Sequence, residues 1–279
     1  MSLDPKYRVL FCDLWGCVHN GVAPFPGAVD TLLGWKAEGR TIVFLTNAPR
    51  PAHAVVEQLE SLDIPADCYD GVVSSGDAAL AYLAEREAAE QMVFVGPERD
   101  RKVLLEEGLT FGDSGDIVCC GFADDRPNDM AGVAPLLEAG AARGAEMACL
   151  NPDLFVIRGG KKELCAGAIA EEYAALGGKV TYFGKPYAPI YDRAMAVASQ
   201  AAGRTVSKEE VAAIGDNAKT DLRGAIDYGL AFAFISTGVE AVEEGAEAGL
   251  ARARHLFAGE ADADKALLIA AVEDLAALS

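Results

Sequence analysis

Arg8-Val9-Leu10-Phe11-Cys12-Asp13-Leu14-Trp15-Gly16 is the stretch that decides the fold. Val9 to Cys12 are apolar at consecutive positions, which marks a strand covered on both faces and therefore a parallel sheet. The run ends in an acid and then a glycine. In open parallel sheets, ligands collect beyond the carboxyl ends of the strands. Asp13 stands at such an end, where a carboxylate can attack a phosphorus centre. An acid after a strand is also an ordinary loop residue, so Asp13 alone leaves both readings open.

Working outward, the same pattern recurs. Apolar runs at 41–46, 71–74, 92–95, 117–121, 146–150, 180–183, 211–215 and 230–235 are predicted strands. Ala-rich segments at 28–38, 52–62, 78–86, 163–175 and 190–200 are predicted helices. A last helix is expected at 264–278, with Leu267, Leu268, Ala271, Val272 and Leu275 on one stripe. Strand and helix alternate, which is the pattern of an α/β fold with a doubly wound parallel sheet.

The length, 279 residues, suits about two domains. Hydrophobic residues make up 51%, enough for a packed core. No apolar run reaches the roughly 18 residues of a membrane helix. The first eight residues lack a signal-peptide pattern, so a cytoplasmic protein is expected. The seven cysteines read as small buried hydrophobes in a reducing compartment. Three histidines, none spaced with cysteines as a ligand set, argue against zinc. The formal net charge of −19 argues against nucleic acid and anionic membranes as partners. It also means that a site for an anionic substrate must supply its own positive charge.

Three further motifs stand at predicted strand ends. Thr46 and Asn47 precede Pro49 and suit a helix start, where a hydroxyl, an amide and backbone N–H groups can hold phosphoryl oxygens. They also suit a plain cap and turn. Lys185, between Gly184 and Pro186, can neutralise a transferring phosphoryl group, or can be a surface lysine in a turn. Gly215-Asp216-Asn217-Ala218-Lys219-Thr220-Asp221 offers two acids that can bracket a metal, or that can cap a helix.

Taken in order, these four motifs resemble the haloacid dehalogenase superfamily. Pro26-Gly27-Ala28, Ser74-Ser75-Gly76 and Asn151-Pro152-Asp153 look like its class IIA, NagD-like and p-nitrophenyl phosphatase-like group, which carries an inserted α/β cap. The resemblance implies a core domain at 1–80 and 180–279 and a cap at 81–179. It implies an Mg²⁺-dependent phosphohydrolase acting on a small phosphorylated metabolite. By the same resemblance Asp13 is nucleophile and metal ligand, and the backbone carbonyl of Trp15 is a second ligand. Thr46 and Asn47 bind the phosphoryl group, Lys185 stabilises charge, Asp216 ligates the metal and Asp221 supports it. Asn151, Asp153, Arg158 and the Gly159-Gly160 loop are expected to contact the leaving group from the cap. Arg158 would suit a second anionic group on the substrate, or would be a salt-bridged surface arginine. Exposed apolar cap surface would support a homodimer.

Trp15 departs from the superfamily pattern. Its place is taken in most of the superfamily's phosphatases by an aspartate that protonates the leaving oxygen. Such help is worth roughly 10²–10⁴-fold in rate. His19 is a candidate substitute, although a solvent-side loop position is the favoured reading for it. The Trp15 ring either stacks on a substrate or packs under the cap. His53, His255 and Arg50 are expected at the surface. A second functional class follows from Trp15: a phosphometabolite-binding or sensor protein without turnover. A phosphotransferase or phosphomutase ranks behind both.

Overall fold

The computed structural model describes residues 2–84, 91–158, 160–236 and 267–279, together with 238, 248 and 251. The opening run forms strand β1 (Val9–Cys12), buried along its whole length. Its side chains alternate between two cores. Leu10 and Cys12 join a cluster with Leu32, Trp35, Val55 and Leu59, and Val9 and Phe11 join one with Ile190, Tyr191 and Ala194. This two-sided burial is why the strand reads as a continuous apolar run.

The chain continues through α1 (Ala28–Ala37), β2 (Thr41–Thr46), α2 (Ala52–Ser61), β3 (Gly71–Ser74) and α3 (Ser75–Ala84). A second unit follows, with β4 (Val93–Val95), α4 (Glu98–Glu106), β5 (Ile117–Cys119), α5 (Met130–Ala142) and β6 (Glu146–Cys149). It closes with a hairpin of β7 (Phe155–Arg158) and β8 (Lys161–Leu164), then α6 (Ala166–Ala175) and β9 (Lys179–Tyr182). The chain returns through α7 (Ala188–Ala202), β10 (Val211–Gly215), α8 (Arg223–Tyr228), β11 (Ala231–Ile235) and β12 (Leu267–Val272).

Six strands form one parallel sheet in the order β12-β11-β10-β1-β2-β3. Strand order reverses between β1 and β10, and that is where a ligand crevice forms in open α/β sheets. Four strands form a second parallel sheet, β4-β5-β6-β9, with cores on both faces.

Two elements differ from the sequence-based expectation. The predicted helix at 264–278 is not a helix where it is described. Residues 267–272 are an edge strand paired with β11, and 275–278 are a single 3₁₀ turn. Positions 264–266 lie outside the described residues. The run Leu267 to Val272 is apolar throughout, which fits a buried helix or a buried strand equally well. A register shift beside Ile269 sets Ala270 and Val272 toward one core and Leu268 and Ala271 toward the other. The sequence also predicts a helix from 163 and no hairpin, where the structure has β7 and β8. Helix α6 starts at Ala166 because 161–164 pair with 155–158. In both cases a distant or antiparallel partner decides the element, and local periodicity does not report it.

Gly76, in the first turn of α3, illustrates how tightly the loop after β2 is held. A Cβ there would lie 2.4 Å from the backbone carbon and oxygen of Arg50. Alanine would gain about 1 kcal/mol of helix propensity over glycine, but a backbone contact that short cannot relax cheaply. Gly76→Ala is expected to destabilise the protein by about 1–3 kcal/mol, read from urea denaturation. Unchanged or increased stability would contradict this close approach.

Candidate active site

The carboxyl ends of β1 and β10 lie side by side at the strand-order reversal. Asp13 follows β1 and its backbone N–H donates to the Ile214 carbonyl at 2.9 Å. Asp216 follows β10. The next turn is π-helical, from Ala218 to Leu222, because the N–H groups of Asp221 and Leu222 both donate to the Asn217 carbonyl, at 2.9 and 3.2 Å. Widened turns of this kind are frequent at functional sites. This one leaves Thr220 and Asp221 buried.

Lys185 joins these segments. Its Nζ donates to Asp13 Oδ1 at 2.6 Å and to Asp221 Oδ1 at 2.7 Å, and the residue is 3% exposed. The other Asp221 oxygen accepts from the Asn217 N–H at 3.1 Å. Lys185 is therefore not a surface turn residue. Burial alone would lower its ammonium, but Asp13, Asp221 and Asp153 together push it well above the ordinary lysine value. Burial raises Asp13 to about 7 against the pull of Lys185.

Asp13, Cys17 and Asp216 form a buried group whose donor atoms lie within 4.8 Å of one another. Room for the Asp216 carboxylate is kept by two glycines. A Cβ at Gly16 would lie 2.2 Å from its Oδ2, and one at Gly238 1.6 Å. The two carboxylates suit a hard divalent cation that prefers oxygen. The Cys17 thiol does not, since burial, with Asp216 and Asp13, pushes it well up and keeps it protonated. Asp221 stands outside this group, with both its oxygens engaged by protein donors.

Thr46 and Asn47 are buried beside the same cavity. They do not start a helix, because α2 begins at Ala52 after Pro51. Instead Thr46 Oγ1 accepts from the Ala48 N–H at 3.2 Å. Asn47 holds the lysine loop: its Oδ1 accepts from the Lys185 N–H at 2.7 Å and its Nδ2 donates to the Lys185 carbonyl at 3.2 Å. The same Nδ2 donates to Asp153 Oδ1 at 3.1 Å. Asp153 comes from the segment between β6 and β7, so this bond crosses from one sheet's loops to the other's. Burial raises the Asp153 carboxyl to about 6, with Lys185 opposing. Asn151 lines the cavity and its Oδ1 accepts from the Asp153 N–H at 3.0 Å.

Trp15 makes a second crossing. Its indole N–H donates to the Ile157 carbonyl of β7 at 3.1 Å, and the Arg158 guanidinium lies 4.7 Å from the ring centroid. The ring thus packs under the hairpin. Arg158 lines the cavity and its Nε donates to Glu163 at 2.7 Å, so it is both salt-bridged and turned toward the site. Gly160 follows it at φ 80, while Gly159 lies outside the described residues.

His19 and Arg50, expected at the solvent side, are drawn into the cavity wall. His19 is 3% exposed, touches the Trp15 ring edge-on and lines the cavity. Its Nδ1 accepts from the Gly21 N–H at 3.1 Å, which leaves the proton on Nε2. Burial, with the charges of Arg158 and Arg50, pushes the imidazole down to about 4. Arg50 is part-buried in the cavity wall and faces Asp100 of α4 at 3.3 Å, a third crossing. The Asn20-Gly21 turn and the two prolines around Arg50 mask both positions as loop residues in sequence. The nearby Trp15 was the available signal for His19. His53 is exposed as expected, and His255 lies outside the described residues. The whole cavity has a volume of about 360 Å³.

Acids thus stand at the reversal point of an open parallel sheet, Lys185 lies between two of them, and a second α/β unit contributes to the same cavity. The chain belongs to the haloacid dehalogenase-like hydrolase family, with the NagD-like, class IIA architecture. Residues 10–110 match the haloacid dehalogenase-like hydrolase family model and 182–259 match a HAD-hydrolase-like model. A haloacid dehalogenase-like family hydrolase from Brucella suis 1330 is 36% identical and superposes with a TM-score of 0.81, covering 96% of this chain and 95% of that one. The 5'-nucleotidase YutF of Bacillus subtilis is 27% identical over 84% of this chain and 88% of its own. An acid sugar phosphatase of Staphylococcus aureus is 25% identical over 86% and 90%.

The lowered His19 has a consequence for stability. Its folded value of about 4 lies below the ordinary 6.5, so the unfolded chain takes up the proton first as pH falls. The stability this contributes is present above pH 6.5 and is lost as pH falls toward 4, by about 3 kcal/mol at most. Between pH 7 and 4.5 the wild-type protein is therefore expected to lose about 1–3 kcal/mol more than His19→Gln. Urea denaturation at pH 7, 5.5 and 4.5 measures the difference. Parallel pH profiles would show that His19 is not held neutral by burial.

Proposed function

We propose that this protein is a magnesium-dependent phosphatase of small phosphorylated metabolites, working through an aspartyl-phosphate on Asp13. The observation that carries this reading is Lys185 Nζ held between Asp13 and Asp221, beside Asp216, in one buried cavity. The phosphatase names of the relatives support it. Residues 1–80 and 180–279 would be the core and 81–179 the cap.

In this reading one Asp13 oxygen attacks phosphorus. The P–O bond to the leaving group breaks, and the leaving oxygen takes the bonding pair and, for an alkyl alcohol, a proton from water. Water then attacks the phosphorus of the acyl phosphate, releasing inorganic phosphate, a proton and the Asp13 carboxylate. Lys185 neutralises charge at Asp13 and at the transferring group. Thr46 and Asn47 hold phosphoryl oxygens. Asp13, Asp216 and the Trp15 carbonyl would hold magnesium, and Asp221 acts on the site through Lys185. When bound, the ion supplies positive charge against the phosphoryl oxygens. Asn151 and Arg158 would meet the leaving group.

Trp15 shapes the rate. Its indole N–H is already committed to Ile157 and is no acid near neutral pH. The missing general acid removes roughly 10²–10⁴-fold, about 3–5 kcal/mol of barrier. Good leaving groups tolerate the loss better than alkoxides do.

Steady-state hydrolysis with Mg²⁺ of p-nitrophenyl phosphate, acetyl phosphate and a series of alkyl phosphates tests this. Turnover of the activated esters is expected, with alkyl phosphates slower by about 10²-fold or more, and with both lost in Asp13→Asn or after EDTA treatment. Turnover that survives Asp13→Asn would overturn the nucleophile. Absence of turnover together with Mg²⁺-dependent binding of a phosphometabolite would leave the sensor reading. Trp15→Asp is expected to narrow the gap between activated and alkyl esters by at least about tenfold. An unchanged gap would show that position 15 does not face the leaving oxygen.

A further inference from the structure

One group of charges in the cavity has no part in the chemistry at Asp13. Arg50 lies in the loop between β2 and α2, flanked by Pro49 and Pro51, and its side chain is only 19% exposed. The loop is fixed from below. Gly76 lets its backbone approach α3, and the Asp77 carboxylate accepts from the Ala52 N–H at 3.1 Å. The guanidinium is held less completely. Nη2 donates to Gln58 Oε1 at 2.7 Å. Nε faces Asp100 Oδ1 at 3.3 Å without hydrogen-bond alignment, and both atoms are buried without a hydrogen-bond partner. A rigidly placed, part-desolvated cation with donors to spare is costly unless something else completes it.

Two more arginines share this wall. Arg99, at the start of α4, reaches Asp124 at 3.0 Å and lines the cavity. Arg158, from the hairpin, lies over Trp15 and pairs with Glu163 through Nε alone. Among the described residues no acceptor is hydrogen-bonded to its two terminal nitrogens. Both lie close enough to act on Arg50: burial lowers its guanidinium, and Arg99 and Arg158 lower it further against the pull of Asp100. Three converging guanidinia in a chain of net charge −19 are not background. Asp100, Asp124 and Glu163 offset their charge, but the pairing leaves donor nitrogens of Arg50 and Arg158 unused. Guanidinium forks match carboxylate and phosphate oxygens in geometry. A purely structural tie between Arg50 and Asp100 would align the two groups, and here they are not aligned.

We propose that Arg50, Arg99 and Arg158 bind a second anionic group on the substrate. The substrates are then phosphate monoesters whose leaving group carries a carboxylate or another phosphate. This rests on the reading of the Asp13 end as the phosphoryl site. It assigns the two poles of the cavity separate tasks: the acid–lysine pole takes the phosphoryl group, and the arginine wall takes the far end of the leaving group.

Binding of non-hydrolysable probes tests it without turnover. Titration calorimetry with Mg²⁺ would compare ethyl-, propyl- and butylphosphonate with phosphonoacetate, 3-phosphonopropionate, 4-phosphonobutyrate and propane-1,3-bisphosphonate. At one chain length or more, the doubly anionic probe is expected to bind at least about tenfold tighter than its alkyl match. The carboxylate and phosphonate arms say which anion the wall prefers. The gap should shrink with added salt and fall below about threefold in Arg50→Gln, with partial recovery in Arg50→Lys. Should Arg50→Gln fail to fold, Arg158→Gln, on the hairpin, reports the same loss. Equal affinities at every chain length, with the alkylphosphonates still binding, would overturn the arginine wall and leave the phosphoryl site standing. If no phosphonate binds at all, the phosphoryl reading fails and the wall assignment falls with it.

Discussion

The bond on which the rest of this structure depends is the one from Lys185 Nζ to Asp13 and Asp221. It joins Asp13, 172 residues before Lys185 in the chain, to Asp221, 36 residues after it. Three ionic groups buried together are stable only while all are present. Removing one member of such a set typically costs about 3–5 kcal/mol, because the charges left behind are unpaired in a poor solvent for them. Asn47 holds the lysine loop from one side and the π-helical turn presents Asp221 from the other. Much of the local architecture is thus support for one ammonium. That ammonium also supplies positive charge among the buried acids Asp13, Asp153 and Asp221.

The two sheets meet over this centre through polar contacts. Trp15 bonds to Ile157, Asn47 to Asp153, and Arg50 faces Asp100. Each contact starts from a loop at the carboxyl end of the six-stranded sheet and ends in the segment that carries β4 to β9. Trp15 has a double place in this arrangement. Its indole N–H fastens the hairpin, and its ring lies beneath the guanidinium of Arg158, which lines the cavity.

Five strands of the six-stranded sheet and the four motifs are legible because their signals are local. Apolar runs such as Val211 to Gly215 are buried on both faces, and the acids follow at once. What sequence order cannot carry is what a loop faces after folding. His19 reads as a loop residue before Asn20-Gly21, yet it is buried against Trp15. Arg50 reads as a surface residue between prolines, yet Asp100 and Gln58 draw it into the cavity. Strand β12 reads as a helix because an apolar run has no period of its own, and only the open edge of β11 decides it. Asp221 shows a finer limit. Its spacing from Asp216 does not reveal that its two oxygens accept from Lys185 and Asn217.

The seven cysteines are all free and all buried. Burial raises every one of their thiols, so little thiolate exists near neutral pH. Their positions sample the molecule widely: Cys12 and Cys17 in and after β1, Cys68 under the first core, and Cys119, Cys120, Cys149 and Cys165 in and around the second sheet. The native chain therefore carries a set of internal labels. An alkylating reagent reaches each sulfur only when the segment around it opens, so the order in which the thiols react ranks the breathing of the two sheets without any added probe.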